Sequence, residues 1–112
     1  MRKLSLGLLL GVLAAWLVPA PLAAQDAAGK TAFLENKCNM CHSVESQGIE
    51  KTTKMVAPDL SDTGNLVESA EWLKGFLLKE NETDAGAHKK TWTGTDEQLE
   101  AIIDWLTGLK KS

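Results

Sequence analysis

The sequence predicts a small all-α domain. Three stretches carry apolar residues at helical spacing, and none shows the apolar–polar alternation of a half-buried strand. Two irregular segments separate the helices, about Ser43–Glu68 and Asn81–Gly94, and both are long for so short a chain. At 112 residues, with 44% hydrophobic and 24% charged side chains, the chain is expected to form one folded domain. The formal net charge of -3 and the lack of a basic run exclude nucleic acid as a partner class.

The N-terminus has the layout of a secretory signal. Arg2 and Lys3 precede an apolar run from Leu4 to Val18, which is followed by Pro19, Pro21 and the small residues Ala23 and Ala24. The run is shorter than the roughly 20 residues that cross a bilayer comfortably. Cleavage after Ala24 is expected, leaving 25–112 as the domain with no membrane attachment; an uncleaved anchor is the alternative. The loss of Arg2 and Lys3 leaves 10 lysines against 15 acids, a net charge of -5, and no arginine.

The first helix is expected from about Asp26 to Lys37. Gly29, Ala32, Phe33 and Asn36 fall on one stripe, and Gly29 would let another helix come close. The second runs from about Ser69 to Glu80, with Ala70, Leu73, Phe76 and Leu77 on one face and Trp72 beside them. The third opens on Thr95 and Gln98, a capping-box pair, and continues in the stripe Leu99, Ile102, Ile103, Leu106 and Leu109, flanked by Trp105. Lys110 and Lys111 are expected where a helix C-terminus favours positive charge. A domain of this size is marginal on core burial alone, and long loops become reasonable if they wrap an apolar group that is not polypeptide.

Cys38-Asn39-Met40-Cys41-His42 names such a group, because C-x-x-C-H is the attachment pattern of c-type haem. Two thiols at this spacing reach the two vinyl groups of one porphyrin, and the histidine that follows donates a nitrogen to the iron. Both cysteines are then consumed, so no disulfide is expected. Two other chemistries compete. A thioredoxin-type pair wants a preceding strand and a parallel sheet, which the sequence lacks. A zinc site would draw on Cys38, Cys41, His42 and His88, but the adjacent Cys41 and His42 are poorly spaced for two corners of one tetrahedron.

With Gly29-x-x-x-Phe33, the C-x-x-C-H element, Ala57-Pro58-Asp59-Leu60 and a last helix bearing Ile102, Trp105 and Leu106, the chain resembles the small class I cytochromes c of bacteria over nearly all of residues 25–112. The resemblance implies a cytochrome c-like domain around one covalent haem c, its first and last helices crossing, and an electron carrier rather than an enzyme. It implies that the Pro58 carbonyl binds the second ring nitrogen of His42. The family usually has glycine before that proline, where this chain has Ala57.

The family usually completes its iron with a methionine shortly before the last helix, and this chain has none there. His88 stands near that place and is favoured as the sixth ligand. Met55, near Pro58, and an open or water-filled position are the alternatives. Trp92, four residues after His88, is a candidate to donate its indole N–H to a haem propionate, with Lys89 and Lys90 as possible neighbours; a plain packing role for Trp92 competes. The function expected is a periplasmic single-haem carrier of one electron between redox partners, the acidic balance favouring a basic docking patch on the partner. A haem sensor or small haem enzyme with an open sixth position is the alternative, and a haem subunit of a larger complex a third.

Overall fold

The computed structural model describes residues 22–112, so most of the expected export segment, 1–24, lies outside the described residues. Among the described residues four α-helices carry the fold: α1 (Leu22–Glu35), α2 (Thr63–Leu66), α3 (Ala70–Leu77) and α4 (Asp96–Thr107). The expected helices at both ends and in the middle are present with shifted limits. The first begins four residues earlier than Asp26, in a segment of strong helix formers that includes Ala23, Ala24, Ala27 and Ala28. It stops two residues before Lys37, which takes a left-handed conformation at φ 58°. The Asn36 side chain caps this end by donating to the Ala32 carbonyl at 2.8 Å.

Helix α4 starts on the expected capping box. The Thr95 hydroxyl accepts from the Gln98 N–H, and the Gln98 side chain accepts from the Thr95 N–H, each at 3.1 Å. It buries Leu99, Ile102, Ile103, Trp105 and Leu106. Helix α1 crosses it at Gly29: a Cβ there would lie 2.2 Å from the Trp105 Cβ and 2.5 Å from the Ala101 carbonyl oxygen. One helical turn on, Phe33 meets the Trp105 ring edge-on at 5.3 Å. The core around this crossing adds Ala32, Val44, Ile49 and Leu73, with Cys38, Leu60, Leu77 and Trp92 half-buried against it.

Three details differ from the expectation. The loop after the cysteine motif is not irregular throughout. It holds a Val44–Ile49 bridge around a 3₁₀ turn, and then the single turn α2, where Gly64 donates its N–H to the Leu109 carbonyl at 2.8 Å. The loop before α4 contains a two-residue antiparallel ladder, β1 (Glu82–Thr83) with β2 (Gly86–Ala87), too short to show as alternation. Lys110 and Lys111 lie beyond the end of α4 at Thr107 rather than in its last turn, and the Lys111 N–H donates to the Asp62 carboxylate at 2.6 Å. Among the described residues no helix is long and apolar enough to cross a membrane.

Candidate functional site

Cys38-Asn39-Met40 forms a 3₁₀ turn two residues past the end of α1, and the N–H groups of Cys41 and His42 both donate to the Cys38 carbonyl, at 3.2 and 3.1 Å. This tight turn sets both thiols and the imidazole within one short stretch of backbone. The thiols are free, with no disulfide between them. Burial pushes the Cys38 thiol up to about 11, with the nearby Lys90 charge pulling the other way. A thioredoxin-type pair works through a thiol whose pKa is lowered, so the environment of Cys38 argues against that chemistry. Among the described residues no three of His, Cys, Asp and Glu converge on a metal-sized space, which leaves the zinc alternative without a geometry.

His42 is fixed by its second nitrogen. Its Nδ1 lies 2.8 Å from the Pro58 carbonyl oxygen. A carbonyl only accepts, so Nδ1 carries the hydrogen and Nε2 keeps a free lone pair. Burial lowers the pKa of His42, the Pro58 carbonyl works in the opposite direction, and charge repulsion from the facing His88 ring and from Lys51 lowers it further. The ring is therefore neutral near pH 7, the form that binds a metal.

Pro58 is held by its successor. The Asp59 carboxylate accepts from the Ser43 hydroxyl at 2.8 Å and from the N–H groups of Glu45 and Ser61, both at 2.9 Å, while Leu60 N–H donates to the Ser43 carbonyl. Partial burial disfavours the Asp59 charge, but these donors outweigh it and hold the carboxyl well below the usual range. Ala57 in place of glycine leaves the His42–Pro58 bond intact.

His88 follows β2 and faces His42. The two ring centroids are 6.3 Å apart and the planes lie within 7° of parallel. Its Nδ1 is 3.0 Å from the Lys90 carbonyl oxygen, so by the same argument its Nε2 lone pair is free. The ring spacing exceeds the roughly 3.5–4 Å of atoms in contact. A metal ion held by one nitrogen of each ring at about 2 Å would call for a centroid spacing of this order. The Met55 Sδ lies 3.4 Å from the Cys41 Sγ.

The Trp92 indole is half-buried against the core, and its Nε1 is the one buried side-chain nitrogen or oxygen among the described residues without a hydrogen-bond partner. An orphaned N–H in such a place fits an acceptor that is not polypeptide, as a haem propionate would be. Two free imidazole lone pairs, two free thiols and this donor together fit the group implied by the cysteine motif.

Two neighbours of the site were not legible as such. Phe76 reads in the sequence as one more apolar position on α3, yet its ring stands edge-on to His88 at 5.3 Å. Asp59 reads only as part of a loop motif, and its acceptor role depends on Ser43 and Glu45, more than a dozen residues earlier.

The family model for cytochrome c matches residues 27–110. No curated protein and no solved structure matches the chain.

Proposed function

Because the chain belongs to the cytochrome c family, whose members carry covalently bound haem c with its iron, we propose that it is a single-haem carrier of one electron, exported to the periplasm. Cys38 and Cys41 hold the haem through thioether bonds, His42 and His88 ligate the iron, Pro58 orients His42, and Trp92 donates to a propionate. The observation that carries this reading is the pair His42 and His88, parallel and 6.3 Å apart, each with Nδ1 turned to a backbone carbonyl.

The haem iron supplies a one-electron ferric–ferrous couple. The protein keeps its ligands in place while the charge changes. Each imidazole is oriented by a carbonyl that also makes it a stronger donor, and two such ligands place the potential below that of a methionine-ligated site. Export is supported by the positive, apolar and small-residue succession of residues 1–24. The net charge of -5 on residues 25–112 supports a redox partner with a basic docking patch.

A potentiometric titration of the purified holoprotein tests the reading. One haem per chain, retained through acid–solvent extraction, and a single one-electron wave are expected. Extractable haem, or a two-electron wave belonging to the cysteines, would contradict it.

A further inference from the structure

A histidine ring turns easily about its last side-chain torsion, which is broad and roughly two-fold. Its plane is therefore set by what touches it. For His42 a constraint comes from Pro58, sixteen residues away. For His88 the carbonyl on Nδ1 belongs to Lys90, two residues along in the same loop, and so moves with the loop. Yet the two planes agree to within 7°.

We propose that Phe76 is the positioning residue that holds the His88 ring parallel to His42. The Phe76 ring meets His88 at 68° with centroids 5.3 Å apart, the edge-to-face arrangement that aromatic pairs favour. Phe76 is itself locked from behind by Trp72, stacked at 5.3 Å and 11°. The loop bearing His88 is tied to the same helix. The Asn81 side chain donates to the Trp72 carbonyl at 3.0 Å, in a space open only because residue 75 is glycine: a Cβ there would lie 2.4 Å from the Asn81 Nδ2. The Lys79 ammonium donates to the Lys89 carbonyl at 3.2 Å. Helix α3, with Lys79 just beyond its end, thus carries both ties to the loop and the aromatic stop for its imidazole.

This inference rests on His42 and His88 being the two iron ligands. Its readout is the ferric electron paramagnetic resonance spectrum of the holoprotein, because parallel imidazole planes give a rhombic three-line low-spin signal and crossed planes a single feature at large g. The wild-type protein and Phe76→Tyr, which keeps the ring, are expected to give the three-line signal. Phe76→Leu, which keeps apolar bulk but not the flat edge, is expected to move the largest g value upward and lose the three-line pattern. Trp72→Leu leaves Phe76 in place without its lock and is expected to shift the largest g value in the same direction by less, so the test stands even if Phe76→Leu does not mature. Unchanged g values in the leucine variants, beside a low-spin rhombic wild type, would overturn the role of Phe76 alone, whatever their melting temperatures. A high-spin wild-type spectrum would overturn the ligand pair, and this inference with it.

Discussion

The imidazoles of His42 and His88 face each other at 6.3 Å, within 7° of parallel, although 46 positions separate them in the chain. Each has its Nδ1 on a backbone carbonyl, Pro58 for one and Lys90 for the other. Two rings, each tied through Nδ1 and set apart by more than contact distance, are the pair that would hold the iron in the proposed reading.

Removing one member should open the iron. His88→Ala is expected to turn a low-spin ferric haem high-spin or make it accept added cyanide, followed by absorption spectroscopy. His88→Met is expected to raise the reduction potential by an amount on the order of 0.1–0.2 V, within the roughly 0.8 V that axial ligands span. An unchanged low-spin spectrum in His88→Ala would remove His88 from the iron.

Trp92→Phe keeps the flat ring but loses the buried N–H that has no protein partner. If that N–H serves a propionate, the variant holoprotein should lose about 1.5–3 kcal/mol in denaturant melts, the worth of a hydrogen bond to a charged group. An indole that only packs would give no such loss.

Asp59 sets a pH dependence. Its folded-state pKa is depressed, so it stabilises the fold above the unfolded value of about 3.9. That contribution fades as pH falls below that value toward the folded one. Asp59→Asn should cost about 1–2 kcal/mol at pH 7, a figure reduced for partial exposure. The gap from wild type should narrow as urea melts are repeated from pH 4 downward. A gap that stays constant into acid would deny the carboxylate its role.

The helix crossing rests on one missing methyl group. Gly29→Ala places a Cβ against the Trp105 Cβ and the Ala101 backbone, neither of which is a flexible end. A loss of about 3 kcal/mol is expected in equilibrium unfolding. A neutral result would mean that α1 can lift off α4 at no cost.

What the sequence made legible was local or chemical. The α4 cap is spelled by Thr95 and Gln98, and the haem motif by five consecutive residues. The Gly29, Phe33 and Trp105 crossing came from a stripe together with a family resemblance, and it holds. What escaped depends on residues far apart in the chain. The end of α3 before Glu80 follows from the left-handed Lys79, at φ 63°, which no helical periodicity announces. The Asp59 clamp needs Ser43 and Glu45 brought to it, and Phe76 becomes a site residue only once the β1–β2 ladder returns His88 to α3.

Absorption spectra of the ferric and ferrous holoprotein, before and after carbon monoxide, test the axial pair most directly. The pair His42 and His88 predicts a six-coordinate low-spin haem in both states that leaves carbon monoxide unbound. A ferrous haem that is high-spin and takes up carbon monoxide at once would contradict it, and would turn the reading from electron carriage to ligand binding.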